Sequence, residues 1–229
     1  MDEHPLQLEV ATCCRLLEYL DLFDFSGHAS ARIPGTDVIL INSRKSVRAN
    51  IQPQDIIKVN IQDDVFATDC LAPLEVFIHT LIYRRRPDVN AIAHTHSPAV
   101  IALSMSGKKF VPIIYRSCFF AEGVPLYDDS RTVGSVATGS NLAEELGQLQ
   151  AIIMRGHGAV VVANNLKALL FNALSLELNA KHQLTIYQMG EQPRPLSKEE
   201  MDEGKRHYGQ KTFEKAWQYY VEKSALKFQ

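Results

Sequence analysis

Cysteine is scarce in this sequence, with four among 229 residues. The spacings between Cys13, Cys14, Cys70 and Cys118 match neither a metal ribbon nor a disulfide scaffold. Adjacent Cys13 and Cys14 fall in a helical-looking segment and read as core residues. A surplus of one charge is missing too. The formal net charge of −2 supplies no global basic field for nucleic acid or an anionic membrane, so any anionic ligand must be caught by a local group of Arg and Lys. No apolar run approaches the length of a bilayer span. The first residues, MDEHPLQLEV, carry acids ahead of the apolar positions, the reverse of a secretory signal, and the expected location is the cytoplasm. Internal repeats, low-complexity tracts and Gly/Ser linkers are also absent, which argues against a domain boundary.

What remains is the balance of an ordinary folded chain, 46% hydrophobic and 22% charged. Its length suits one large domain over residues 1–229. Residues 6–22 place Leu6, Val10, Cys13, Leu17 and Leu20 at helical spacing. A Pro-Gly turn then separates two strand-like runs, and residues 55–62 alternate like a half-buried strand. A helix is expected from about 74 to 86, opened by Pro73 and ended by Pro87. The run VNAIAHTHS reads as a strand and SPAVIALSMSG as a helix. Further strands are expected at 110–115, around 124–126 and within 150–163. Helices are expected at GSNLAEELGQL, 166–189 and 199–223. Strands interleaved with helices indicate a layered α/β domain. The helical segment from about 195 to 229 is available to cover a site or an interface.

Residues i and i+2 of a strand share a face, so His94 and His96 point together and suit one metal ion. Alone, the pair also fits a buried strand that happens to contain imidazoles. In MRGHGAVVVA, His157 lies between Gly156 and Gly158, which remove bulk and allow close approach. A histidine in a tight bend is the plainer reading. Glu75 opens the 74–86 helix, where a carboxylate is favoured by the helix dipole in any case. His79, one turn on, reads as a packing or supporting residue rather than a ligand.

Together these features resemble the class II aldolase and adducin family. The resemblance rests on Glu75 at a helix start, His94-Thr95-His96 at the end of the next strand, GHG further on, and SGHAS near residue 27. It spans roughly residues 6–190. It implies a three-layer α/β/α fold around a central mixed or antiparallel sheet. It also implies a divalent metal on His94, His96 and His157, with Glu75 as fourth ligand or acid/base, in a homotetramer whose sites lie at subunit interfaces. Two departures redirect the expected substrate. Sugar-phosphate aldolases carry Asn where this chain has His28, and two serines where it has Pro73 and Leu74. Proline has no N–H and leucine no polar atom, so the phosphate site is dismantled. Ser43, Arg44, Lys45 and Arg48 in NSRKSVR gather donors and charge suited to a carboxylate. GHAS with Ser30, the SR dipeptide, LE..IH and LELNA..QL are similar to the decarboxylase branch typified by 3-hydroxy-2-methylpyridine-4,5-dicarboxylate decarboxylase.

The expected activity is therefore that of a metal-dependent carbon–carbon lyase. The leading form is a decarboxylase of a non-phosphorylated hydroxylated carboxylate, with aromatic and heteroaromatic acids among the candidates. Ser30, Ser43, Arg44 and Lys45 are the expected substrate-binding residues. The expected proton donor is Glu75, then His28 or Tyr115; the resemblance places Tyr115 near a catalytic tyrosine contributed across an interface. Three imidazoles suit zinc, and a set that includes a carboxylate also suits manganese or iron. Three alternatives stay open: an aldolase acting on a non-phosphorylated hydroxy-keto acid, a non-heme iron oxygenase, and a non-catalytic adducin-like binding module. The partner expected is a small carboxylate, with neither nucleic acid nor membrane.

Overall fold

Alternation along the strands decides which helices cover which face of the sheet. The computed structural model describes residues 4–65 and 71–228, and Cys70 lies outside them. Strands β1 (His28–Arg32), β2 (Val38–Asn42), β3 (Ile56–Asn60), β4 (Ala91–Thr95), β5 (Leu126–Tyr127), β6 (Ala151–Met154) and β7 (Gly158–Ala163) form one sheet. Their order is β3-β2-β1-β4-β7-β6-β5. β5 and β6 run parallel and the other neighbours antiparallel, so the sheet is mixed.

One face is small-residue rich: Ala29, Ala31, Ala91, Ala93, Ala159 and Val161 pack beneath α1 (His4–Tyr19), α3 (Pro98–Met105) and α5 (Leu166–Gln188). Cys13 and Cys14 lie buried in that layer as free thiols. The opposite face presents Ile39, Ile41, Ile92, Ile152, Val160 and Val162 to α2 (Val76–Arg85) and α4 (Val136–Leu146). The result is a three-layer α/β/α arrangement. Each fully buried aliphatic side chain contributes about 1.5–3 kcal/mol to holding these layers together.

α6 (Lys198–His207) and α7 (Gln210–Ser224) lie outside the layers. α6 packs on the 3-10 turn Tyr115–Phe120, and α7 packs on α5 and α1. Phe119, Phe171, Tyr208 and Phe213 make the aromatic joint between them. Among the described residues no helix is long and apolar enough to cross a membrane.

The strand expected at 110–115 does not form. The chain there is satisfied by side chains of α5 instead of a neighbouring strand. Asn179 accepts from the Ile113 N–H at 2.8 Å and donates to the Val111 carbonyl at 2.7 Å. Gln183 accepts from the Val111 N–H at 3.0 Å and donates to the Lys109 carbonyl at 2.6 Å. Glu177, two residues before Asn179, is buried and accepts the Ala99 and Val100 N–H groups at the start of α3. The polar residues of LELNA..QL therefore brace the chain on either side of α3.

Candidate metal centre

The site forms where β1, β4 and the β6–β7 hairpin end together beneath the start of α2. His94 is the penultimate residue of β4 and fully buried, and His28 is its cross-strand partner on β1. That register puts both imidazoles on the α2 face, with ring centroids 5.0 Å apart. His96 follows two residues after His94, and its ring lies 4.9 Å away. His157 arrives from the β6–β7 turn, 5.0 Å from His94 and 5.4 Å from His96.

Two glycines make that third approach possible. Gly156 adopts φ +64°, a left-handed conformation that reverses the hairpin. Gly158 has no room for a side chain, because a Cβ there would overlap the Thr95 carbonyl oxygen and sit 3.1 Å from His96 Cδ2.

Hydrogen bonds orient the rings. The Ala159 carbonyl, 3.2 Å from His94 Nδ1, can only accept, so His94 carries its proton on Nδ1 and a lone pair on Nε2. Asp24 Oδ2 does the same for His96, 2.9 Å from its Nδ1. Burial, with the neighbouring His94 ring, holds the His96 pKa below the usual value, against the opposing pull of Asp24. The two Nε2 atoms face each other at 3.1 Å, a disposition that repels in neutral rings and is relieved by a shared cation. His157 adds a buried Nδ1 with no hydrogen-bond partner among the described residues.

Glu75 caps the geometry from the N-terminus of α2. Its Oε1 accepts the Val133 N–H at 2.9 Å, while Oε2 lies 3.3 Å from His94 Nε2 and 3.7 Å from His157 Nε2. Burial would raise its pKa. The Val133 N–H, with the neighbouring His94 and His157 rings, outweighs that and lowers it below the usual carboxylate value. His94, His96 and His157 can present ligand atoms within 4.8 Å of one another, and so can His28, Glu75 and His94. Opposed lone pairs, an orphaned imidazole nitrogen and an ionised carboxylate fit a divalent ion.

The group borders a cavity of about 550 Å³ whose wall includes Arg44, Lys45, Arg48, Phe25 and Leu74. Arg48 is only 5% exposed and is held by carbonyls. Its Nε donates to Gly27 at 2.6 Å, and Nη1 donates to Ser43 and Ser46 at 3.1 and 2.6 Å. Among the described residues it makes no salt bridge. Phe25 and Leu74, by contrast, are 87% and 69% exposed.

Of the residues singled out in the sequence, the fold gathers Glu75, His28, His94, His96, His157, Arg44 and Lys45 around this cavity. Ser30 and Ser43 are not on its wall. The Ser30 hydroxyl is committed to His79 and Tyr83, and the Ser43 hydroxyl accepts the Lys45 N–H. Within one chain Tyr115 is also elsewhere, packed against His207 and Tyr208 of the α6 end. Among the described residues of the 195–229 segment, none lines the cavity. Asp24, Val133 and Arg48 carry more of the geometry than sequence reasoning assigned them. Only Arg48 had a local signal, its place in the basic loop.

Residues 8–184 match the family described as class II aldolase and adducin N-terminal domain. The chain is 27% identical over 224 residues to a 3,4-dihydroxyphthalate decarboxylase of Arthrobacter keyseri, covering 92% of this chain and 90% of that one. A protein of the same name from Rhodococcus jostii is 29% identical over 203 residues, covering 82% and 83%. The L-fuculose 1-phosphate aldolase of Glaciozyma antarctica shares the fold, with a TM-score of 0.81 at 22% identity over 98% of this chain and 91% of that one.

Proposed function

The chain belongs to the class II aldolase and adducin family, and on that premise we propose that it is a metal-dependent carbon–carbon lyase, a decarboxylase of a hydroxylated aromatic carboxylate. The observation that carries this reading is the 3.1 Å approach of two ring nitrogens whose partners force both to present lone pairs. A binding module has no physical need for that arrangement. The similarity to two chains named 3,4-dihydroxyphthalate decarboxylase supports the same direction.

His94, His96 and His157 would hold the ion, with Glu75 as the displaceable fourth ligand. Zinc or manganese suits this set. When bound, such an ion supplies Lewis acidity toward the electron pair left on carbon as the bond breaks. The protein's own groups do the rest. Arg48, fixed by three carbonyls, and the neighbouring Arg44 and Lys45 bind and orient a carboxylate. Phe25 and Leu74 offer apolar surface to a planar ring and keep water from its faces. Glu75, ionised at rest, takes the proton of a substrate hydroxyl and returns it to the carbon that loses CO2. Tyr115 serves only if a neighbouring subunit supplies it, as in a tetramer with interfacial sites.

The test is anaerobic incubation of zinc- or manganese-loaded protein with hydroxylated aromatic and pyridine carboxylates, following CO2. Release of CO2 that disappears in His94→Ala supports the reading. An aldehyde without CO2 moves the assignment to an aldolase of a hydroxy-keto acid, and O2 consumption in air moves it to an oxygenase. Wild-type turnover by metal-free His94→Ala overturns it.

A further inference from the structure

His157 sits on a turn that the sheet does not hold. The last ladder pair of the β6–β7 hairpin is Met154 with Gly158, so residues 155–157 lie beyond it. Each of their N–H groups has a partner. Arg155 donates to the Tyr127 carbonyl at 3.0 Å and His157 to the Met154 carbonyl at 3.2 Å. The Gly156 N–H, next to His157, ends on a side chain instead, the Ser104 hydroxyl at 2.8 Å. An amide only donates, so the direction of this bond is fixed. Ser104 is 6% exposed, and its own hydrogen goes to the Ile101 carbonyl at 2.6 Å within α3.

The other end of α3 belongs to His96. Ser97 is the cap residue and Pro98 opens the helix, so the chain passes from that histidine into α3 within two residues. The N–H groups of a first turn have no carbonyl within their own helix. Those of Ala99 and Val100 reach the Glu177 carboxylate on α5 at 3.1 Å, where Glu177 is 1% exposed. Lys181 Nζ lies 3.4 Å from the same carboxylate. One short helix is therefore continuous with the segment carrying His96, bonded at its far end to the turn carrying His157, and anchored to the core by Glu177.

We propose that Ser104 and Glu177 are positioning residues for the metal centre, acting through α3 to hold His157 in place against His96. The inference rests on the metal-binding reading of the three histidines. The bond to the turn exists without metal, and the experiment reads the two separately.

In metal-free protein, hydrogen exchange at the Gly156 amide should quicken in Ser104→Ala and return to the wild-type rate in Ser104→Thr. Threonine keeps the hydroxyl, and Ser104 borders a cavity of about 520 Å³ that has room for the added methyl. With metal, Ser104→Ala should weaken zinc roughly tenfold or more in chelator competition and alter the visible spectrum of the cobalt(II) form, and Ser104→Thr should restore both. Ser175→Ala is the matched control. It removes the same kind of buried bond, to the Phe171 carbonyl at 2.6 Å, from a helix that does not meet the turn through it, and zinc affinity should stay at the wild-type value. Glu177→Gln should also weaken zinc, and its loss combined with Ser104→Ala should fall short of the product of the two, because both act through one helix. Unchanged exchange at Gly156, wild-type zinc affinity in Ser104→Ala, or an equal loss in Ser175→Ala overturns the role of Ser104. A multiplicative double variant overturns the connection through α3. Wild-type protein that takes up neither zinc nor cobalt refutes the metal centre itself, and the expected metal behaviour without CO2 release counts against the decarboxylase alone.

Discussion

Replacing Gly158 by alanine adds one methyl group where the start of β7 crosses the end of β4. The new Cβ overlaps the Thr95 carbonyl oxygen and stands 3.2 Å from the Thr95 carbonyl carbon and 3.1 Å from His96 Cδ2. The obstacle is mostly backbone, so no side chain can rotate out of the way. Restoring an ordinary carbon–oxygen separation of about 3.3 Å parts the strands by roughly 1 Å. Thr95 pairs with Ala159 in the same ladder, so the displacement falls between His96 and His157. Forced overpacking of this kind costs about 1–3 kcal/mol, and the upper end is expected here. A metal site tolerates only about 0.2 Å in ligand distance, so zinc affinity should fall by roughly tenfold or more. Gly156→Ala is the control. There the φ of +64° is strained for alanine, at about 1–2 kcal/mol, but its Cβ meets only the Met105 side chain, at 3.6 and 3.7 Å. It should lose stability without losing the ligand geometry. Urea unfolding and chelator competition for zinc read the two effects separately. Wild-type zinc affinity in Gly158→Ala, or a greater loss of zinc in Gly156→Ala, would refute the reasoning.

Asp24→Asn exchanges the carboxylate that fixes the His96 ring for an amide free to present the wrong end. Zinc should bind about 10–100-fold more weakly, and unchanged chelator competition would discard the orienting role. Arg48→Lys cannot reproduce a planar fork spanning Gly27, Ser43 and Ser46. Its phthalate affinity should fall further than that of Lys45→Ala and depend less on salt, measured by calorimetry at two ionic strengths; the reverse order would reassign the carboxylate to Lys45. The pH dependence of stability follows from His79, whose pKa of about 3 when folded lies below that of the unfolded chain. Between those values the unfolded chain binds more protons, so stability rises with pH, and this ring alone should cost about 2 kcal/mol on going from pH 7 to pH 5. His79→Gln should flatten that slope in urea titrations, and an unaltered slope would show that another group sets it.

How much of this could be read from the sequence depended on how local the determinant was. His94 and His96 follow from strand alternation alone, and the glycines around His157 mark a close approach whatever approaches. Glu75 at a helix start was legible for the same reason. The partners that orient these groups were not. Asp24 meets His96 only because the segment after α1 passes the end of β4, where the His96 N–H also bonds the Leu22 carbonyl. Ser30 illustrates a half-success. Its alternation with His28 put it on the correct face, but α2 covers that position, so its hydroxyl supports His79 instead of meeting solvent. Residues 110–115 failed in the opposite way. Their extended, apolar character was legible, yet extended backbone pairs with whatever donors and acceptors lie beside it. Here those are the amides of Asn179 and Gln183, so no strand results.

The cavity holds a cation and an anion by different means, and the combination narrows what can occupy it. Arg48 keeps its cation beside carbonyl oxygens without a salt bridge among the described residues, a state that leaves an anion favoured nearby. Glu75 keeps its carboxylate on the Val133 N–H, which donates to Oε1. His28 and His79 lie buried beside it, joined Nδ1 to Nε2 at 2.7 Å. A phosphate would find a cation but none of the backbone or hydroxyl donors that Pro73 and Leu74 have displaced. On the proposed reading, a carboxylate on a flat ring would meet the Arg48 guanidinium and the exposed apolar side chains of Phe25 and Leu74 on one wall.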